Sequence, residues 1–559
     1  MGYLRTAGVT ARLDTAVAAH GTTAGHGTVA TRVTWGASHE GRSSGYVKIA
    51  ASTPASPSKR WSVLVTGGVH ARELAPPDAL VSLVERLLGA YDAGTDVTYP
   101  AFTSTDGVVF DAFTVTAAEV SSVMERLNLM VAPLVNPDGR DFVLARLTAA
   151  DDPSLHKLWR KNRRPKPAGE TDESAAGVDL NRNFDILFDF AKHYDVSVAD
   201  VHTSNDPHDD SYCGPSANSE PEAANLVKLF KDEGISYFLD VHSFSRSILY
   251  SWGIEANQSV DATMSFTNPR WDGKRDGVRH SGYSEYIPAT QEAAAAALAT
   301  QMCTDVLARA GGSDTVAKRR STYKAKPSGA GLYVTTGAVD DFCFSRWFTG
   351  AAAGRPIAPV VALTMESGGD PSKGPDAQDG EFWPDYRTQY PKIEREIHSA
   401  VWSFLTQIAA IPVTGPSVPP PPTPTVSTTT PPPKSCVIAT TLYRGSAHPA
   451  VEFLRDVRDR QLPATFAGDR FAVWLTAGYD QVAPPLASWF SRHPAAAWVT
   501  RAVLLDPFVG ILRAVSSATS RLPRTRSLIL SAGLAVVAGP VIATARSLNR
   551  PAPAPRPSR

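Results

Sequence analysis

The first 410 residues alternate short apolar runs with amphipathic stretches, a pattern that restricts them to an α/β fold with a largely parallel sheet. Strands are expected at 61–66, 127–134, 237–241, 247–251 and 360–365. The first of these breaks on Gly67 and Gly68, after which Pro76 and Pro77 can open a helix. Leu80, Leu83, Val84, Leu87 and Leu88 then follow the i, i+3, i+4, i+7, i+8 spacing of one buried helical face. Ser219-Glu-Pro-Glu222 reads as a capping box for a helix running to Lys231, and further helices are expected over 290–307 and 393–408. The expected architecture is an α/β/α sandwich with a mixed, mostly parallel sheet. His70, Asn136, His242 and Glu366 all follow the carboxyl ends of expected strands. Open α/β sheets bind ligands at that edge, so residues far apart in sequence can share one cleft there.

A chain of 559 residues exceeds a single ordinary core. Residues 411–434 hold four prolines at 419–422 and Thr428-Thr-Thr-Pro-Pro-Pro433, which favours an extended polyproline linker. This places a catalytic-size domain at 1–410 and a smaller, mainly helical module at 435–559. Residues 527–545 carry no charge and are long enough for a membrane helix. Gly533, Gly539 and Pro540 weaken that reading, and arginines flank both sides, so a buried or interfacial helix competes with it. Met1-Gly-Tyr-Leu-Arg-Thr6 opens no apolar signal segment, which reads as cytoplasmic by default. The Pro/Thr linker and the apolar 527–545 segment leave export or membrane tethering open. Lys+Arg and Asp+Glu both total 55, so no net field draws nucleic acid or acidic membranes. Four scattered cysteines make neither a disulfide framework nor a cysteine metal site.

The chemistry begins at His70 and Glu73, an H-x-x-E pair directly behind the 61–66 strand. Imidazole and carboxylate suit zinc, and a catalytic zinc takes three protein ligands plus a water, so a third ligand lies elsewhere. Alone the pair says little: 13 histidines in the chain yield about 0.6 such matches by accident. Its company says more. Downstream stand Val135-Asn-Pro-Asp-Gly139, Trp159-Arg-Lys-Asn-Arg-Arg164, Gly177-Val-Asp-Leu-Asn-Arg-Asn-Phe184, Tyr212-Cys-Gly-Pro-Ser-Ala-Asn-Ser-Glu220, Asp240-Val-His-Ser243, Leu332-Tyr333 and Thr364-Met-Glu366.

In this order the set resembles the zinc carboxypeptidases of the A/B type over about residues 1–410. The resemblance implies one Zn²⁺ per chain held by His70, Glu73 and His242, with Asp179 supporting His70. It makes Glu366 the base that activates a zinc-bound water and Arg163 the stabiliser of the oxyanion. Asn181 and Arg182 become the clamp on the substrate's terminal carboxylate, with Tyr333 closing over it and Arg72 serving a further subsite. Asp340 falls where B-type enzymes carry an acid for Lys or Arg side chains; Thr364 lines the same pocket, and a one-residue shift would substitute Asp341. The implied activity is hydrolysis of the C-terminal peptide bond of peptides or proteins, with preference for Lys or Arg. Two other readings stand beside it: a zinc peptidase or amidase acting on cell-wall or modified peptides, and a non-catalytic zinc-binding scaffold. The early position of His70 leaves no room for an inhibitory pro-segment, so an enzyme made active is expected. Beyond the linker, Cys436-Val-Ile-Ala-Thr-Thr-Leu-Tyr443 and Leu454-Arg-Asp-Val-Arg-Asp459 resemble the CFI-box tail domain, a family that implies organisation and no activity.

Overall fold

The computed structural model describes residues 2–413 except 54–55, 58, 106, 148–157, 198, 278–281, 353–358 and 370–381; beyond 413 it describes 453–454, 457, 511–513 and 515. The chain divides into two compact units, Met1–Arg279 with Tyr283–Val426, and Ser427–Arg559 with His280–Gly282.

Eight strands of the first unit form one sheet: β1 (Ala30–Thr34), β2 (Gly45–Ile49), β3 (Trp61–Gly67), β4 (Leu127–Ala132), β5 (Tyr237–His242), β6 (Ser247–Tyr250), β7 (Lys324–Pro327) and β8 (Val361–Glu366). Their spatial order is β7-β6-β8-β5-β3-β4-β2-β1. The four central strands β8, β5, β3 and β4 run parallel, while β6 joins β8 and β2 joins β4 antiparallel. The parallel centre is what strand–helix alternation predicts, and the antiparallel joins at β6 and β2 make the sheet mixed. Three strands go beyond the sequence expectation: the edge strands β1 and β7, which are short and partly exposed as sheet edges commonly are, and β2, a short buried strand paired on both sides.

The pleat sorts the core into two layers. Val63, Val65, Leu239, Val241, Leu363 and Met365 join one cluster with the helices α1 (Thr6–His20), α2 (Ala75–Ala93), α3 (Ala289–Ala310) and α4 (Tyr390–Ala410). Leu64, Met130, Phe238 and Ala362 join another with Leu226, Leu229, Phe342 and Trp347 on the opposite side. Successive residues of a strand point to opposite faces, so each central strand is apolar on both sides. Leu363 is fully buried between β5 and β6. Leu363→Ala is expected to cost about 2–5 kcal/mol of stability, read as a lower midpoint in chemical denaturation.

One expectation changes. The helix of Pro221–Glu233 starts at Pro221, and its N-cap Glu220 makes no capping hydrogen bond with its side chain. The capping box of Ser219 and Glu222 is not formed because the helix begins one residue late: Ser219 Oγ donates to Glu220 Oε1, Ser219 N donates to Ser216 O, and Glu222 Oε2 accepts from Asn162 Nδ2 instead. Among the described residues no helix is long and apolar enough to cross a membrane. The 527–545 segment, the CFI-box-like stretch and nearly all of the linker lie outside the described residues.

Candidate metal centre and cleft

Strand β3 ends at Gly67, and Gly68 turns the chain with φ +63°. A Cβ at Gly68 would meet Pro77 at 2.8 Å, so glycine lets the turn lie against the start of α2. That turn presents His70 and Glu73 at the carboxyl edge of the sheet. Strands β5 and β8 are parallel neighbours in register, and their last residues, His242 and Glu366, are paired across the ladder. Four side chains scattered over 296 positions (70 to 366) therefore meet at one edge, as the strand order requires.

The His70 Nδ1 lies 2.6 Å from Glu73 Oε1. The His242 Nδ1 lies 3.1 Å from Glu73 Oε2 and 3.1 Å from the His70 Nδ1. All three side chains are buried. Each imidazole turns its outer nitrogen to a buried carboxylate: His242 Nε2 to Asp240 Oδ2 at 2.7 Å, and His70 Nε2 to Asp179 Oδ1 at 3.3 Å. The Asp240 carboxylate holds the His242 proton on Nε2 and Asp179 stands beside His70 Nε2, so that both Nδ1 atoms and the Glu73 oxygens face one another. Such a group of acceptors is unstable without a cation between them, and its atoms lie within 4.8 Å of one another. The set fits a divalent metal with N and O ligands.

The outer partners are themselves anchored. Asp240 Oδ1 accepts from Thr66 Oγ1 at 2.6 Å, and Asp179 Oδ2 accepts from Arg160 Nε at 2.7 Å. Burial opposes a charged His242, but Asp240 and Glu73 raise its affinity for a proton well above the usual imidazole range, and a metal bound at Nδ1 would take that proton's place. Burial likewise pushes Glu366 up to about 7, with the neighbouring Glu73 adding to it and His242 opposing.

Around this cluster one cleft is lined by His70, Glu73 and Glu366 together with Arg72, Asn181, Arg182, Tyr333, Asp340 and Thr364. Arg182 is 4% exposed; its Nε donates to His202 O at 2.6 Å and its Nη1 to Asn181 O at 2.7 Å. Asn181 Oδ1 accepts from Val339 N at 2.9 Å, tying the pair to the segment that carries Tyr333 and Asp340. Gly337 (φ +69°) makes that junction: a Cβ there would fall 2.0 Å from Arg182 O. Asp340 is buried at the cleft wall, accepting from Thr364 Oγ1 at 3.0 Å and from Asp341 N at 2.9 Å. Burial raises its carboxyl above the usual range, and no cation pairs with it among the described residues. Asp341 does not line the cleft; its Oδ2 accepts from Gly253 N at 2.8 Å. Arg72 lines the rim but is already engaged, with Nη1 on Leu158 O at 3.0 Å and on Asp210 Oδ2 at 3.2 Å.

Arg163 is not brought into the cleft. Its Nη2 donates to Glu173 at 2.5 Å and its guanidinium lies 3.8 Å from the centre of the Phe142 ring. Arg160 lines the cleft instead. Within the Trp159–Arg164 stretch, Lys161 turns away to Ser174 O and Pro207 O and Asn162 is buried, so Arg160 alone reaches Asp179 and the metal cluster. Two further residues were missed. Asp240 had a signal, since period-two alternation puts it on the same strand face as His242. His202, whose ring lies 4.6 Å from that of Tyr333, sits in irregular chain and had none.

A buried His–Glu–His set of the kind that can hold a metal ion thus stands at the carboxyl edge of a mostly parallel sheet, with Asn181 and Arg182 in the same cleft. Residues 18–374 match the zinc carboxypeptidase family, and the chain belongs to it. It is similar to carboxypeptidase B of Helicoverpa zea, 27% identical over 236 residues, which is 42% of this chain and 44% of that one. Carboxypeptidase A2 of Rattus norvegicus is 28% identical over 201 residues, 36% of this chain and 37% of that one. The matched stretch thus spans less than half the length of these relatives. Among solved structures, carboxypeptidase A of Helicoverpa armigera aligns with TM-score 0.46 and 19% identity over 73% of each chain.

Proposed function

We propose that the protein is a zinc-dependent carboxypeptidase that removes basic residues from peptide C-termini. The observation that carries this reading is the single cleft in which the metal cluster, Glu366, the Asn181–Arg182 pair, Tyr333 and Asp340 all meet. His70, Glu73 and His242 would hold the zinc. When bound, the metal polarises the scissile carbonyl and acidifies a water.

The protein's own groups do the rest. Arg182 and Asn181 take the terminal carboxylate, which fixes the last peptide bond over the metal cluster and excludes internal cleavage. Tyr333, half-buried at the cleft wall, covers the bound end from solvent. Glu366, with its carboxyl near 7, accepts a proton as water attacks and returns one to the leaving amine. Arg160 takes the role that Arg163 cannot reach, offering a guanidinium to the developing oxyanion. Asp340 faces the side chain of the departing residue. A buried carboxylate lacking a cation favours Lys or Arg and disfavours acidic side chains there.

The test uses the full chain loaded with zinc and peptides that differ only in a C-terminal Lys, Phe or Glu, with loss of the last residue followed by mass spectrometry. Lys is expected to leave fastest. Asp340→Asn should lose about 2–5 kcal/mol of transition-state binding for Lys, roughly a 30- to 4,000-fold fall in kcat/KM, with little change for Phe. Equal rates for Lys and Phe in the parent protein would refute the basic preference. No hydrolysis of any peptide by zinc-loaded protein would refute the carboxypeptidase reading itself.

A further inference from the structure

A second cluster of metal-ligating side chains lies outside the cleft. His39, Glu220 and Glu222 bring ligand atoms within 4.8 Å of one another. His39 Nε2 is 2.8 Å from Glu220 Oε2. Glu220 is fully buried and Glu222 is 2% exposed, whereas carboxylates that merely cluster on a surface remain hydrated.

The hydrogen bonds around the cluster leave it short of donors. Glu220 Oε1 is satisfied by Arg164 Nη1 at 2.9 Å and by Ser219 Oγ at 2.7 Å. Asn162 is locked in one orientation, because its Oδ1 accepts from Val178 N at 2.8 Å and Arg164 N at 3.2 Å. Its Nδ2 is therefore turned to Glu220 Oε2 at 2.9 Å and Glu222 Oε2 at 3.1 Å. Glu222 Oε1 has no hydrogen-bond partner among the described residues. A desolvated carboxylate oxygen without a donor is costly, and Arg164 and His39 are both spent on Glu220, which leaves Glu222 with no basic partner of its own among the described residues. A cation resolves both deficits.

We propose that His39, Glu220 and Glu222 form a second, structural metal site that takes a divalent transition metal of the zinc class. One imidazole and two carboxylates suit such an ion, and the imidazole argues against calcium or magnesium. Ligands on a tetrahedral zinc stand about 3.4 Å apart, so the ion needs only about half an ångström of opening between His39 and Glu220. The three ligands come from the loop around residue 39, the N-cap of the Pro221–Glu233 helix and that helix's first turn. Asn162 binds both glutamates, and the same segment carries Arg160. The ion would brace the rear of the segment that supports the cleft, away from the reacting atoms. Glu222 is the carboxylate left free of the unformed capping box.

The experiment is metal content of the full chain after equilibration with zinc and removal of unbound ion. The unaltered protein is expected to retain two equivalents, and His39→Ala one, with peptide hydrolysis unchanged. Glu73→Ala should also retain one, but without hydrolysis, which separates the two sites. Glu222→Gln is expected to repeat the His39→Ala result; if that buried change prevents folding, His39, on a partly exposed loop, still decides. One equivalent in the unaltered protein that His39→Ala keeps and Glu73→Ala loses would overturn the proposal. Two equivalents persisting in His39→Ala would overturn it as well, by placing the second ion elsewhere.

Discussion

Glu366→Gln is expected to lower kcat by roughly 10²- to 10⁴-fold while leaving zinc content and KM nearly unchanged. The change is isosteric, so the β8 edge and its pairing with His242 persist. What disappears is the ability to take a proton. A carboxyl with ordinary affinity for protons would be a weak base at neutral pH; burial lifts this one to about 7, where proton uptake and release are both easy. The measurement is steady-state hydrolysis of a Lys-terminated peptide beside elemental analysis of the same preparation. A variant that retains its zinc and its rate would remove Glu366 from the mechanism. A variant that loses zinc would show that Glu366 holds the metal rather than a proton.

His242→Ala should abolish hydrolysis and remove one equivalent of zinc. It deletes one of three protein ligands and exposes Asp240 and Glu73 as buried carboxylates without their shared partner. Loss of an outer partner alone costs about 10–100-fold in metal affinity, so Asp240→Asn sets the scale that His242→Ala must exceed. Competition with a chelator gives both affinities, and added zinc should restore Asp240→Asn but not His242→Ala. Equal affinity of His242→Ala and the unaltered protein would mean that the His70–Glu73 turn binds metal through some other third ligand.

The metal cluster was legible because each of its parts has a local cause. The apolar run of β3 and its two glycines announce a strand end, and H-x-x-E places two ligands on one turn beyond it. The β5 motif supplied the third through its resemblance to the family, while the alternation that marks Asp240 on the same strand face went unread. The clamp was equally local, since Asp179, Asn181 and Arg182 share one short turn whose own hydrogen bonds hold it. Arg163 shows the opposite case. Three arginines stand within six residues of irregular chain, no periodicity ranks them, and only the place of Asp179 in space decides that Arg160 faces the cleft. The capping box failed for the same reason: Ser-x-x-Glu spacing is a local signal, but Asn183 and Asn162 arrive from distant segments and take up the Ser219 hydroxyl and the Glu222 carboxylate.

Residue spacing alone established the strand–helix alternation and put His70 and Glu73 on one turn behind β3, because strand period, turn chemistry and motif spacing act over a few residues. A third ligand at His242, the Asn181–Arg182 pair and an acid at 340 or 341 followed instead from the resemblance of the motifs to the zinc carboxypeptidases. Only the tertiary structure decided which of several like-charged side chains reaches the cleft, that Asp340 rather than Asp341 lines it, and that a second buried His–Glu–Glu group exists. Those outcomes depend on competition among charges brought together from separate elements. The strength of a buried ion pair is set by distance and desolvation, neither of which is written in the spacing along the chain.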